Sequence, residues 1–382
     1  MNKKIKTIKV MTIVGTRPEI IRLSLIISLL DKYLNHIFVH TGQNYDYELN
    51  QIFFNDLKIR KPDYFLQINT STVGNSYGDT LIKTEKVLLK EKPDAVLILG
   101  DTNSSIACII AKRLKIPIFH MEAGNRCYDM NVPEEMNRII IDHISDFNLV
   151  YTEHARRHLL TEGLPHRRIF LTGSPLQEVI HHYINYIDNS YILNKLKLLP
   201  NKYFLVSSHR EENVDNTDNL KTIFYSINKL VNIYNVNAIV STHPRTKIRL
   251  SKINLSLDPR IIFFKPFGFF EYICLQKNAL CTISDSGSIC EESAILNFPA
   301  VTIRNSMERP EALDSGSIIL TGIDIENILS SVHLAIQEKQ LSCKNSIPID
   351  YTIENTSWRV LKLILGTAKL SNKWSGIKIN QF

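Results

Sequence analysis

Short apolar runs alternate with amphipathic stretches from the start of the chain. Residues 8–14 read as a strand, and 18–33 carry apolar positions at helical spacing. The alternation continues with a strand at 37–40 and a helix at 47–57. A strand at 95–99, a helix at 104–114 and a strand at 116–120 follow. A helix at 133–145 and a strand at 147–151 come next. Strand runs that are apolar throughout, separated by helical stretches, predict a parallel sheet covered on both faces. The pattern thins after Pro175 and restarts with strands at 203–207, 238–241, 261–264, 280–283 and 300–303. The boundary is therefore expected near residues 174–195, giving two Rossmann-like α/β domains: 1–178 and 179–355. A final helix, about 358–370 within a tail spanning 356–382, is expected to pack back on the first. A ligand is expected in a cleft between such domains, beside the carboxyl ends of the strands.

The 382 residues suit two domains. No apolar run approaches the ~18–20 residues that a membrane helix needs. Net charge is +7, from 45 basic and 38 acidic residues, and it is not gathered into a basic stripe with interleaved aromatics. Nucleic acid and membrane are therefore not expected partners, while an anionic small substrate suits the balance. The lysines at positions 3, 4, 6 and 9 read as a solvated start to the first strand. The apolar stretch behind them is too short for a signal peptide. Six cysteines without a CxxC pair read as free thiols in a reducing cytosol. No histidine–acid spacing suggests a metal.

The 14 glycines form neither GxG, nor GxGxxG, nor a P-loop. A tightly held NAD is not expected, nor any other cofactor. Glycines stand singly at strand ends instead, where a turn into a helix exposes backbone N–H groups to an anion. Polar residues gather at those turns. Arg17 follows Gly15 at the first, placed to dock a phosphate. Asp101 follows Gly100, and Glu122 and Arg126 flank Gly124. Pro133 opens a helix carrying Glu134 and Arg138 four residues apart. Asp101 as a helix cap and Glu134 as a helix N-terminal acid are the plain alternatives. Three carboxylates beside two arginines favour a site, because crowded carboxylates shift one another's pKa toward an acid–base pair. In the second half, His209 and Arg210 end one strand and His243 another. Ser286, Gly287 and Ser288 open a helix as a phosphate seat, with Glu292 one turn inside it and within reach of ribose hydroxyls.

In order, GTRPEII, TGQN, GDT, MEAGNR, VPEEMNR, TGSP, SHREEN, HPRT, DSGSICEES and ERPE run through the chain. With this series the sequence resembles the non-hydrolysing UDP-N-acetylglucosamine 2-epimerase family over nearly its whole length. The resemblance implies a two-domain glycosyltransferase-B-like fold, a homodimer, a cytoplasmic location and a role in bacterial surface-polysaccharide synthesis. It also implies that Glu292 holds the ribose and that Arg309 and Glu311 order the diphosphate loop. Arg22 stands where the family commonly has lysine. Asn125 and Cys127 depart from the usual EAGLRT, and Glu211 from HRREN. These variants resemble the subgroup that acts in UDP-N-acetyl-L-fucosamine synthesis, whose substrate is UDP-2-acetamido-2,6-dideoxy-L-talose. UDP-N-acetylglucosamine as substrate, or sugar transfer to an acceptor on the same fold, are the alternatives.

Inverting C2 breaks a C–H bond that no carbonyl acidifies, and the glycines offer no nicotinamide seat. The remaining route uses the leaving group. UDP departs from C1 as a proton leaves C2, giving a 2-acetamidoglycal; a proton is then delivered to the opposite face of C2, and UDP re-adds at C1. Arg17, His209 and Ser286 are expected to stabilise departing UDP. Asp101, Glu122 and Glu134 are expected to handle the proton, their individual roles left undivided.

Overall fold

The computed structural model describes residues 8–43, 54, 56–242, 244–253, 255–341 and 347–377. The chain forms two compact units. One runs to Arg126, resumes for Val132–Val179 and takes up the chain again from Ile353; the other holds Cys127–Asn131 and Ile180–Thr352.

The first unit is built on a seven-stranded parallel sheet: β1 (Lys9–Val14), β2 (Asn35–His40), β3 (Tyr64–Phe65), β4 (Ala95–Leu99), β5 (Ile118–Met121), β6 (Phe147–Val150) and β7 (Ile169–Leu171). Their order is β3-β2-β1-β4-β5-β6-β7. Helices cover both faces, so β4 is buried at all five positions, as a continuous apolar run requires. Met11, Ile13, Val96, Ile98, Cys108, Ile118 and Ile141 belong to one core cluster. The helix Thr356–Trp374 closes this unit against Arg17–Tyr33, where the rings of Tyr33 and Trp358 lie 5.4 Å apart. Arg168 fastens it by donating to Ser371 Oγ at 3.1 Å.

The second unit carries a six-stranded parallel sheet: β8 (Tyr203–Ser207), β9 (Asn237–Ser241), β10 (Ile261–Phe264), β11 (Cys281–Ser284), β12 (Ala300–Thr302) and β13 (Ile319–Leu320). The order is β10-β9-β8-β11-β12-β13.

Each sheet reverses its winding once, between β1 and β4 in the first unit and between β8 and β11 in the second. At such a switch point the helices that follow the two strands leave on opposite faces, opening a crevice at the strands' carboxyl ends. The register carries this further. Leu99 pairs with Met121, so Gly100 and Glu122 leave the sheet side by side. Ser207 pairs with Ser284, which brings Ser208 level with Asp285.

The helix Val73–Glu91 was not expected from the pattern. Its threonines, lysines and two glycines hide the apolar stripe of Val87 and Leu88. The short strands β3, β7 and β13 also lacked a clear run. The expected helix at 104–114 opens as a tighter 3-10 turn over Asn103–Ala107 before Cys108–Arg113, since serines compete with helical bonding through their hydroxyls. The expected helix at 47–57 falls largely outside the described residues. Among the described residues, no helix is long and apolar enough to cross a membrane.

Candidate active site

In the first unit, polar side chains gather at the β1/β4 switch point and on the neighbouring β5 end. Arg17 is the first residue of its helix, with Pro18 beside it and Thr16 as the cap residue. Asp101 follows Gly100. Its Oδ2 accepts from Arg138 Nε at 2.6 Å, and its carbonyl accepts from Asn137 Nδ2 at 2.8 Å. Arg138 also donates to Glu135 at 2.8 Å. Asp101 therefore does not cap the helix that follows it; Thr102 Oγ1 does, accepting from Ser104 N. Glu122 adopts a left-handed backbone (φ 66°), uncommon for a residue with a side chain and a frequent mark of functional sites. Its carboxylate lies near Gly100, where an added Cβ would stand 3.8 Å from Oε2. Asn125 Nδ2 approaches Oε1 at 3.4 Å. Glu134 is half-buried in the first turn of Pro133–Ile144, one turn before Arg138.

Behind these turns lies a fully buried hub, Asp142. It accepts from His120 Nδ1 at 2.9 Å, Arg126 Nη1 at 2.7 Å and the amide of Gly124 at 3.1 Å. Burial pushes its carboxyl up, but the hydrogen bonds and positive charges of His120 and Arg126 outweigh that and hold it below the usual carboxylate range. The other ring nitrogen of His120 meets Gly100 O at 3.0 Å. One buried carboxylate thus fixes both the Gly100–Asp101 turn and the Glu122–Arg126 turn.

The second unit repeats the device. Asp285 is fully buried and accepts from Ser208 Oγ at 2.9 Å, His209 N at 3.0 Å, Arg210 N at 3.2 Å and Asn213 Nδ2 at 3.1 Å. His209 Nδ1 lies 3.2 Å from Asp285 Oδ1, while the ring is 46% exposed. An imidazole held at Nδ1 by a carboxylate presents Nε2 outward. Arg210 donates to Asp285 O and to Glu308, which also takes Arg304. Glu308 Oε1 stands 2.6 Å from where a Cβ on Gly287 would sit, so a side chain there would displace the Glu308 carboxylate from Arg210 and Arg304. Ser286 and Ser288 link hydroxyls at 3.0 Å before Ile289–Leu296. Glu292 is buried one turn in and accepts from Gln276 Nε2 at 2.6 Å.

Four arginines expected to meet substrate are engaged inside the protein instead. Arg126 is 2% exposed and bridges Asp142 and Glu162. Arg22 is buried, donates to Ser174 and lies over the Tyr151 ring. Arg309 is buried against Glu291 at 2.7 Å. Arg138 is spent on Asp101 and Glu135. In each case a buried cation needs a carboxylate or ring partner, and the turn supplies it. Glu311 is buried and accepts from Tyr351 Oη at 2.6 Å. His243 lies outside the described residues. Asp142, Asp285, His120 and Glu308 were missed. The signal for Asp142 was its place four residues after Arg138 and seven after Glu135, charged residues on the buried side of one helix.

A parallel-sheet α/β fold with two switch points, one lined with carboxylates and one with a serine–glycine turn, is that of a nucleotide-sugar enzyme of the glycosyltransferase-B-like class. A family model described as UDP-N-acetylglucosamine 2-epimerase matches residues 30–365. The UDP-N-acetylglucosamine 2-epimerase of Methanocaldococcus jannaschii is 39% identical over 341 residues, 87% of this chain and 93% of that one. A Pseudomonas aeruginosa UDP-2,3-diacetamido-2,3-dideoxy-D-glucuronate 2-epimerase is 34% identical, covering 86% and 92%. The solved structure of UDP-N-acetylglucosamine 2-epimerase from Rickettsia bellii superposes with a TM-score of 0.91 at 49% identity, covering 97% of this chain and 100% of that one. The chain belongs to the UDP-N-acetylglucosamine 2-epimerase family, and the activity this membership carries is isomerisation of a UDP-sugar at C2.

Proposed function

We propose that this enzyme inverts C2 of a UDP-2-acetamido sugar by eliminating UDP to a 2-acetamidoglycal and adding it back. The observation that carries the reading is the pair Asp101 and Glu122 on the turns that leave adjacent paired strands, with Asp101 held by buried Arg138 and the turn after Glu122 held by buried Asp142 through Gly124 N. One carboxylate takes the C2 proton as the C1–O bond to UDP breaks; another group returns a proton to the opposite face before UDP oxygen re-forms the bond to C1. Arg17, His209 and the Ser286–Ser288 turn stabilise charge on departing UDP. A plain glycosyltransferase has no use for several carboxylates around the sugar.

For the sugar, we propose UDP-2-acetamido-2,6-dideoxy-L-talose, giving UDP-N-acetyl-L-fucosamine. The variant turn at 125–127 supports this, because Asn125 is buried and approaches Glu122. UDP-N-acetylglucosamine is the second reading, favoured by the names of the relatives. The family resemblance supports a homodimer in the bacterial cytosol serving capsule or O-antigen synthesis. The test is incubation with each UDP-sugar alone, without acceptor, followed by proton NMR. Conversion of the L-talo compound at least about tenfold faster, by kcat/KM, is expected. Faster conversion of UDP-N-acetylglucosamine would select the second reading, and free sugar as product would exclude a non-hydrolysing epimerase.

A further inference from the structure

Glu19 has no part in the steps above, yet it sits among them. It is 3% exposed near the start of Arg17–Tyr33. Its Oε2 accepts from Gly15 N at 2.6 Å, and its Oε1 accepts from Thr16 Oγ1 at 3.0 Å and Thr102 Oγ1 at 2.7 Å. One carboxyl group therefore ties the β1 turn, which carries Arg17, to the β4 turn, which carries Asp101. All three donors are neutral, whereas a buried carboxylate is ordinarily matched by a cation. Burial pushes its pKa up to about 7. The hydrogen bonds from Thr102, Gly15 and Thr16 pull the other way, and the negative charge of Asp101 adds to the rise.

The charge acting on Glu19 is that of Asp101 on the β4 turn, itself gripped by Arg138 from Pro133–Ile144, and Arg17 stands two residues before Glu19 in the chain. From the end of β2 the turn faces the hydroxyl of Thr41, which is bonded to Ser104. Both charge states fit in place. The carboxylate takes three donors. The acid keeps Gly15 N–H on Oε2 and turns its own O–H toward the hydroxyl oxygen of Thr102, since a hydroxyl can donate or accept.

We propose that Glu19 is a positioning residue for the epimerisation, locking the Arg17 turn to the Asp101 turn and favouring substrate while it carries a proton. The inference rests on the reading that Arg17 and Asp101 act on a UDP-sugar, whose diphosphate stays anionic across the neutral range. When Glu19 ionises, a second negative charge beside Asp101 opposes that diphosphate.

Glu19→Gln copies the protonated form: its amide oxygen can take Gly15 N–H and its amide nitrogen can donate to the threonines. The KM of the wild-type enzyme is expected to rise at least about threefold between pH 6.5 and 8.5, against less than about 1.5-fold in Glu19→Gln. Glu19→Ala, which strands all three donors, should lower kcat at every pH. Identical KM profiles for wild type and Glu19→Gln would overturn the proposal. Thermal unfolding without substrate supplies an independent reading. The native acid keeps its proton above the ordinary range near 4.5, so wild-type stability falls as pH rises from there through about 7. Glu19→Gln lacks that loss, and its Tm relative to wild type should climb between pH 5 and 8.5. A constant Tm difference also overturns the proposal. Absence of turnover with any UDP-sugar, with the climbing Tm difference intact, would instead fault the functional reading.

Discussion

In the proposed reaction, Asp101 and Glu122 each need a carboxylate that is fixed in place and reachable. Asp101 is one-fifth exposed at its side chain and held at 2.6 Å by Arg138; Glu122 is half-buried on a left-handed backbone. Asp101→Asn and Glu122→Gln keep the size of each side chain and remove its charge and its capacity to take or give a proton, Asp101→Asn also weakening the ion pair with Arg138. Each is expected to lower kcat at least ~10²-fold, with UDP affinity by calorimetry within a few-fold of wild type. Near-normal turnover in both would remove these groups from the reaction. The same residues show how far the sequence could be read. Asp101 and Glu122 are legible because each stands at a strand end beside a glycine that turns the chain. An arginine at a strand end is not: Arg17 and Arg126 look alike in the sequence, but a helix that delivers Asp142 claims the second. That pairing joins residues 16 positions apart through tertiary packing, which no local pattern reports.

Among the elements, the parallel strands were plain because a strand buried on both faces writes itself as an unbroken apolar run. Helices were harder where their buried side is not apolar. Pro133–Ile144 buries Glu135, Asn137, Arg138 and Asp142 along with Ile141, so its inner face reads as an outer one. The polar inner face is what lets the helix reach Asp101, Gly124 and His120 together. The turn it braces leaves little room. Gly124 has φ +79°, and a Cβ there would stand 2.4 Å from the carbonyl oxygen of Ala155. That oxygen belongs to the helix Glu153–Thr161, whose packing on the sheet through Leu159 and Ile169 prevents retreat. Gly124→Ala is therefore expected to destabilise the protein by about 2 kcal/mol or more through strain and overpacking. It should also cost activity, because Glu122 moves with the turn. Denaturant unfolding checks this, and an unchanged midpoint would show that the turn yields freely. Gly78, with nothing near its missing Cβ, is the control position: alanine there should be neutral or stabilising.

Across the whole molecule, two sheets of different strand number use one arrangement: a buried aspartate at or next to a switch point gathers a histidine, an arginine and backbone amides. Asp142 does so behind the turns that carry Asp101 and Glu122, and Asp285 does so behind His209 and the serine–glycine turn. Such hubs are costly to bury and repay that by fixing turns that would otherwise wander. In the proposed reaction one hub braces the turns that carry Asp101 and Glu122, and the other braces the turn that carries His209. The route has an isotopic consequence. A proton taken from C2 by one side chain and returned to the opposite face by another cannot be the same proton, because the two groups exchange separately with solvent. Product formed in D₂O should therefore carry deuterium at C2 from the first turnover, and free UDP should appear transiently. Substrate recovered at short times should carry less label than product. Proton NMR of the H1 signal reads this directly, since deuterium at C2 removes its coupling to H2 and leaves the coupling to phosphorus. A hydride mechanism at a neighbouring carbon would leave UDP attached throughout, and a single base working on one face would return hydrogen without inversion. Product retaining the original C2 hydrogen would exclude the glycal route for this protein, whatever its carboxylates look like.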